Sequence, residues 1–259
     1  MTARGTLGTT LFLLAATFSL SGCGRPFDSE LVLKFQQAQE QFEDAESQED
    51  YLRVAGQYDE IRRAGVTNGA VLYNQGNAYM RAGQRGRAIA CYRIALRYRP
   101  LDPDLQENLR FALEPIQQPP PKRSVIDYML FWQGWISYPG KFQLATACAA
   151  LAFALGVVAL FIKRNTLRRT AWGALLFTMI FGLSATYDWY RFDVQQKGVV
   201  TGNEVTARRG NAESYEPAFN AALEEGIEFQ VLERREKWLR IRVAAGVGWV
   251  KASDVVTFY

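Results

Sequence analysis

Residues 142–162 read FQLATACAALAFALGVVALFI, and no charged side chain interrupts the chain between Lys141 and Lys163. A helix of about 20 residues, rising about 1.5 Å per residue, is long enough to cross the roughly 30 Å hydrocarbon core of a bilayer. The run therefore predicts a transmembrane helix over 142–162. The alternative is a helix of a pair that is buried in a soluble core.

A second apolar stretch, over 170–187, follows closely. Trp172 stands near its start and further aromatic residues cluster near its end, as is typical of the membrane–water interface. The connecting loop, 163–169, carries four positive charges and no acidic residue. Because short basic loops stay on the cytoplasmic side, the pattern predicts a hairpin of two crossings whose flanking segments both lie outside the cytoplasm.

The N-terminus points to the same topology. Arg4 precedes an uncharged run over 5–20, and the next residues lead to Cys23 through the sequence LSGC. This pattern is typical of a secretion signal over 1–23. The small residues before the cysteine resemble a lipoprotein signal, which implies lipidation of Cys23; an uncleaved signal anchor and an ordinary cleaved signal are the alternatives. All three place residue 24 outside the cytoplasm.

Two amphipathic helical patterns precede the hairpin, at 70–100, where the chain reads AVLYNQGNAYMRAGQRGRAIACYRIALRYRP with a break at Ala82-Gly83. The segment resembles a tetratricopeptide repeat, whose signature positions are matched by Leu72, Gly76, Tyr79, Ala88, Tyr92, Ala95 and Pro100. One period of about 34 residues earlier, Tyr58 repeats Tyr92, although the other positions differ. We therefore predict a short helical repeat domain over 30–116, with a degenerate first unit and a capping helix after the matched unit.

Repeats of this kind usually present a concave face to a peptide or partner helix. Tyr73, Asn77 and Met80 fall on one side of the first helix of the matched unit, and Asn74 is adjacent. An asparagine amide offers both a donor and an acceptor to a partner's main chain. These four residues form the predicted partner-binding groove, and a solvated polar face is the alternative.

Residues 117–141, between the repeat domain and the hairpin, have a different composition. The segment begins with QQPPP, which favours an extended linker, and five aromatic residues follow. The helical spacing of Phe131, Trp135 and Tyr138 predicts a helix that lies in the headgroup region and ends at Pro139-Gly140.

After Val199 the pattern changes to short β-branched and aromatic runs separated by turn residues, which predicts a small all-β barrel of five strands over 196–259. Alternation along one run predicts Arg240 and Arg242 in solvent. The stretch VLERREKWLRIRV and the GWV that follows resemble a bacterial SH3-type domain, which implies a groove for peptides or wall fragments. The candidate ligand-binding residues are aromatic: Tyr215, Trp238, Trp249 and Tyr259. For the two tryptophans, closing the small core is the alternative.

The composition argues against catalysis. The chain has no histidine, which removes the commonest general base and the commonest metal ligand. Its cysteines, Cys23, Cys91 and Cys148, are isolated from one another, so they predict neither a disulfide framework nor a metal pair. We therefore expect no enzymatic activity, no cofactor and no metal. A net charge of +4 with dispersed basic residues predicts no nucleic-acid binding.

The order of the modules, with a signal, a short TPR array, an aromatic segment, two crossings and a terminal SH3-like domain, resembles a BatE-type protein of the Bat, or aerotolerance, group. The implied fold class is multidomain α plus β. The resemblance implies partnership with von Willebrand A-domain (VWA) membrane proteins and a BatD-like protein, encoded with a MoxR-type ATPase. The expected function is a non-catalytic scaffold in the bacterial inner membrane, with both domains on the periplasmic side. A sensor whose barrel binds peptidoglycan is the alternative.

Overall fold

A computed structural model describes residues 29–116, 118, 128 and 130–258. The predicted signal, with Cys23, and the last residue, Tyr259, lie outside the described residues. In the part of the chain that is described, seven α-helices precede a small antiparallel sheet, so the fold is mixed α and β. The helices are α1 (Ser29–Glu43), α2 (Gln48–Arg63), α3 (Gly69–Arg81), α4 (Arg85–Tyr98), α5 (Pro103–Leu113), α6 (Tyr138–Phe161) and α7 (Asn165–Trp189).

The ends of the first five helices, which we call the helical stack, follow from local side chains. Ser47 starts α2 with a reciprocal capping box. Asn68 accepts hydrogen bonds from the first backbone N–H groups of α3, and Asp102 does so for α5, where Pro103 occupies the first turn. After α3, Gly83 has a φ of 75°, a left-handed conformation that glycine adopts without strain.

Neighbouring helices of the stack run antiparallel. Gly69, at the start of α3, lies against Tyr98 at the end of α4, whereas Gly76 lies against Tyr92 in the middle. Tyr58 and Tyr92, one predicted period apart, are both buried at 1% exposure. Each ring belongs to a core cluster that joins its own helix pair to the next helix. The matching tyrosines therefore have the same packing role in successive helix pairs.

Helices α6 and α7 pack against each other as a hairpin, and both are long and apolar enough to cross a membrane. Helix α6 begins before the predicted crossing 142–162, at Tyr138, and ends at Phe161, whereas α7 extends beyond the predicted crossing 170–187 at both ends. The predicted loop, 163–169, is correspondingly shorter, because α7 already begins at Asn165. A helix keeps its backbone hydrogen bonds through charged residues at its ends, so the uncharged length underestimates the helical length.

The prediction of a helix that contains Phe131, Trp135 and Tyr138 and ends at Pro139-Gly140 is wrong. Phe131–Gly134 form a short 3-10 helix, and the chain then enters α6 directly. The Ser137 hydroxyl caps α6 by accepting a hydrogen bond from the Gly140 N–H at 3.2 Å. Proline is tolerated in a first helical turn because the N–H that it lacks has no helical partner there. Pro139 therefore lies in the first turn of the apolar helix and does not end a helix.

The C-terminal β-domain, residues 197–258, contains a five-stranded antiparallel sheet in the order β6-β5-β4-β1-β7 and a separate β2-β3 pair. The strands are β1 (Lys197–Val200), β2 (Glu204–Val205), β3 (Leu223–Glu224), β4 (Glu228–Arg235), β5 (Trp238–Val243), β6 (Gly246–Lys251) and β7 (Val255–Phe258). Along β5, Leu239 and Ile241 are buried while Arg240 and Arg242 are exposed. The predicted alternation is confirmed, since successive side chains of a strand face opposite sides.

Candidate functional site

A hydrogen-bonded network lies where α3, α4 and α5 meet. Asn108 Nδ2 donates to Tyr73 Oη at 3.1 Å and to Asn77 Oδ1 at 2.9 Å. The Tyr92 hydroxyl donates to the same Asn77 oxygen at 2.8 Å. The amide hydrogens of Asn77 and the side-chain oxygen of Asn108 make no hydrogen bond to any described residue. Tyr73, Asn77, Met80 and Asn108, which we call the α3–α5 face, therefore carry both donors and an acceptor.

The structure also uses the predicted groove asparagines internally. Asn77 accepts the hydrogen bond of the Tyr92 hydroxyl, and Asn74 lies near the hydroxyl of Tyr58, where it lowers the Tyr58 pKa against the larger effect of burial. Both tyrosines are buried, and a buried hydroxyl needs a partner. Tyr73 and Met80 are half-buried and pack on the core. Partner binding by these four residues stays a prediction, and Asn77 has an internal structural role beside it.

Burial sets the protonation of the core beneath this face. It raises the pKa of the Tyr58 and Tyr92 hydroxyls above the ordinary value of 10.0, so both hydroxyls stay neutral at physiological pH. Burial likewise raises the pKa of the Cys91 thiol to about 12. The thiol lies 3.6 Å from Gln75 Oε1 and stays protonated near neutrality. Cys91 is therefore a packing residue.

Trp238 and Trp249 lie on the outer face of the sheet. Trp249 pairs with Arg240 across β5 and β6, and Trp238 is two residues from Arg240, so all three share one face. Trp249 is only 8% exposed, with the Arg235 guanidinium 5.5 Å from its ring. The Arg208 main chain exchanges two 2.7 Å hydrogen bonds with that of Trp249. Neither tryptophan belongs to the buried core cluster of the β-domain.

Tyr215 lies in the loop that follows Arg208, the residue that pairs with the edge strand β6. Its side chain is half-exposed, its ring lies against Gly210, and its carbonyl oxygen accepts a 2.8 Å hydrogen bond from Arg208. The same segment is tied to β6 by a 2.5 Å ion pair between Glu213 and Lys251. The structure thus brings Trp238 and Trp249 to one face of the sheet, with Tyr215 in the loop beside the edge strand, and the fourth predicted residue, Tyr259, lies outside the described residues.

Polar contacts dock the β-domain on α4. The Arg93 guanidinium donates two parallel hydrogen bonds to the Glu228 carboxylate, each 2.7 Å long. At the start of α4, the Gly86 N–H donates to the Glu225 carboxylate at 2.7 Å. Gln118 exchanges two 2.8 Å hydrogen bonds with the Glu228 main chain. Charge-assisted bidentate pairs of the Arg93 kind fix orientation as well as distance.

Apolar contacts continue the same interface. Val199 and Phe258 of the sheet belong to one buried cluster together with Ile89 of α4. The interface cannot be predicted from the sequence, because Arg93 and Glu228 are 135 positions apart and neither residue belongs to a motif.

Arg97, one turn beyond Arg93, joins α4 to the hairpin. Its guanidinium donates to the Asp193 carboxylate at 2.6 Å and lies 4.0 Å from the Tyr138 ring centroid. It also lies 5.2 Å from the ring of Phe192. Asp193 and Phe192 follow α7, whereas Tyr138 begins α6. One arginine therefore contacts both adjacent ends of the hairpin.

A buried ion pair joins the start of α6 to the end of α7. Lys141 is completely buried, and its ammonium donates to the Asp188 carboxylate at 2.5 Å and to the Gln133 carbonyl oxygen at 2.8 Å. The Gln133 side-chain oxygen accepts from the same ammonium. Burying a charge is expensive unless it is paired and hydrogen-bonded. The pair therefore fixes α6, α7 and the Phe131–Gly134 turn relative to one another.

Among the described residues, no group of three or more His, Cys, Asp and Glu side chains is arranged to hold a metal ion. Comparisons with protein-family models, with curated proteins and with solved structures find no match to this chain.

Proposed function

We propose that this protein is a non-catalytic, membrane-anchored scaffold of the BatE type, which binds other proteins of the bacterial envelope. In this proposal the helical stack is a short TPR array and the β-domain is SH3-like. The α6–α7 hairpin crosses the inner membrane with the 163–169 segment in the cytoplasm, so that both domains lie on the periplasmic side. Cys23 carries a lipid.

The observation that carries the proposal is the convergence of three parts of the chain on α4. One face of this helix holds the β-domain through Arg93 and Glu228, and its end holds the hairpin through Arg97. An assembly scaffold needs binding surfaces that keep a fixed position and orientation relative to each other and to the membrane. The contacts of α4 with the β-domain and with the hairpin would fix these positions. The α3–α5 face carries donors and an acceptor for a partner's main chain.

The proposed partners are VWA-domain membrane proteins and a BatD-like protein. The test is co-purification from detergent-solubilised membranes of the native cells, using the full chain. Met80→Glu places a charge on the α3–α5 face without removing an internal hydrogen bond, whereas Asn77→Ala would also leave Tyr92 without its acceptor. Val247→Glu is the matched control, because Val247 is an exposed apolar residue on β6.

We expect the wild type and Val247→Glu to retain a VWA-domain protein. Met80→Glu should lose most of it while its circular dichroism spectrum still shows folded helices at the temperature of the experiment, since Met80 also packs on the core. Equal retention by all three proteins would remove the α3–α5 face from the proposal. Retention of no VWA-domain protein by the wild type would remove the scaffold function itself.

The second candidate function is a peptidoglycan sensor. It is supported by the outer face of the β-domain, where Trp238 and Trp249 stand among Arg235 and Arg240, since aromatic faces suit sugars and guanidinium groups suit carboxylates. Purified wall sacculi should retain the full chain, and Trp238→Ala should abolish retention, if this function is the correct one.

A further inference from the structure

The turn between α4 and α5 carries an exposed leucine beside the start of the hairpin. Leu101 is 63% exposed. It lines a shallow cleft whose other wall contains Trp135 and Ser137. Ser137 is the residue that caps α6. The tip of the turn therefore lies at the level where the first apolar helix begins.

The contacts of Arg97 hold the turn at that level. Arg97 lies in the last turn of α4, and its side chain is only 8% exposed between Tyr138, Phe192 and Asp193. Because these groups belong to both adjacent ends of the hairpin, α4 cannot tilt away without breaking an ion pair and two ring contacts. Leu101, which follows shortly after α4, is consequently held near the same plane.

Other exposed apolar side chains mark that plane. Trp135 is 61% exposed, and Trp189 and Phe142, at the adjacent ends of α7 and α6, are exposed as well. Tryptophan is enriched where a membrane meets water, because its ring is apolar and its N–H is polar. Leu101 adds an aliphatic side chain beside this aromatic group. The acid next to it, Asp102, forms a 2.5 Å ion pair with Arg99.

We propose that the α4–α5 turn is a third membrane contact of this protein, in which Leu101 inserts into the boundary between headgroups and acyl chains of the periplasmic leaflet. The inference rests on the proposed crossing of the membrane by the hairpin. The bound partner is the lipid surface itself. The contact fixes the tilt of the helical stack relative to the bilayer. The tilt in turn sets the direction that the α3–α5 face points.

Fluorescence quenching by labelled lipids tests this contact. The full chain carries Cys23→Ala and Cys148→Ala, while Cys91 is kept, because its buried thiol has a pKa of about 12 and does not react near neutral pH. A bimane probe is attached to each of three further variants, Leu101→Cys, Leu33→Cys and Val157→Cys. The vesicles contain phosphatidylcholine and phosphatidylglycerol, with a nitroxide either on the headgroup or in the middle of the acyl chain.

The headgroup nitroxide should reduce the Leu101→Cys emission about two-fold, as for a side chain at the interface. Leu33, which is 55% exposed on α1, is the matched control and should not respond. Val157, in the middle of α6, should respond to the acyl-chain nitroxide. If Val157 responds and Leu101 behaves like Leu33, the third contact alone is excluded. If Val157 does not respond, the proposed hairpin fails and the inference fails with it.

Discussion

At the residue scale, Gly76 marks the place where the α3 backbone touches a ring of α4. A Cβ atom at this position would lie 2.5 Å from Tyr92 Cε1. The ring cannot move aside easily, because it is 1% exposed and its hydroxyl is bonded to Asn77. Gly56, on the exposed side of α2, has nothing within 4 Å of such a Cβ atom. The two glycines therefore differ in packing although both are helical.

We predict that Gly76→Ala lowers the free energy of unfolding by about 1–3 kcal/mol, because the added methyl overpacks the helix contact. Gly56→Ala should instead raise it by about 0.5–1 kcal/mol, since alanine favours a helix and meets no obstacle there. Thermal melts of the full chain in one detergent, followed at a helical wavelength, make the comparison. Equal melting temperatures for the two variants would contradict the packing at Gly76.

Cys91 gives a pH prediction at the same scale. Its pKa is raised from 9.0 to about 12 by burial, so the folded state holds its proton more tightly than the unfolded state does. A raised pKa contributes stability that is fully present below about pH 9 and is lost as the pH rises from 9 towards 12. Cys91→Ala should show a smaller loss of melting temperature over that interval.

The same burial predicts thiol chemistry. In a Cys23→Ala, Cys148→Ala background, the native protein should react very slowly with a thiol reagent at pH 8 and rapidly once it is denatured. Rapid reaction of the native protein would mean that Cys91 is open to solvent.

At the scale of elements, α4 is the helix on which the rest of the chain converges. It contacts α3 and α5 within the stack, β1 and β7 of the sheet, and α6 of the hairpin. Its faces are chemically distinct, because small residues such as Ala88 face α3 while Gly86 and Arg93 face the β-domain. The interface with the sheet combines a shared apolar cluster with charge-assisted hydrogen bonds, so we expect the two parts to unfold together.

Gly86→Ala tests that coupling. A Cβ atom at Gly86 would lie 2.4 Å from the Val200 carbonyl oxygen, which is main chain and cannot rotate away. We expect the β-domain to separate from α4, at a cost of about 1–3 kcal/mol, and the single calorimetric transition to split into two. Limited proteolysis near residues 195–203 should become faster. Gly56→Ala serves as the control, and an unchanged single transition for Gly86→Ala would contradict the interface.

At the scale of the whole molecule, the proposed topology makes a labelling prediction. In a Cys23→Ala, Cys148→Ala background, Asn165→Cys lies at the start of α7 and Asn203→Cys lies on the exposed surface of the β-domain. In spheroplasts, a membrane-impermeant thiol reagent should label Asn203→Cys and leave Asn165→Cys unlabelled until the membrane is permeabilised. The basic residues near Asn165 should keep that end in the cytoplasm. The opposite labelling would reverse the topology.

The helices, the two apolar spans and most strands are recognisable in the sequence, because each leaves a side-chain periodicity or an apolar run within one short segment. Tyr58 and Tyr92 could be recognised as equivalent positions for a similar reason. Helix pairs that pack in the same way need the same residue type at the same position, and this produces a repeat in the sequence. The alternation of Arg240 and Arg242 needs only the geometry of one strand. Predictions from local patterns are wrong at two places in the hairpin. The charged ends of α7 are helical although they lie outside the apolar run, and Pro139 lies in the first turn of α6 although proline usually ends a helix.

Tertiary structure alone decides which of these elements meet. Arg93 and Glu228, Lys141 and Asp188, and Arg97 and Asp193 are ordinary charged residues in the sequence, and only folding brings each pair within 3 Å. In the sequence Asn77 is likewise an ordinary polar residue of a helix, and only the fold brings Tyr92 and Asn108 within hydrogen-bonding distance of it. Long-range pairing leaves no period and no fixed spacing, because its energy depends on burial and distance in space and not on separation along the chain.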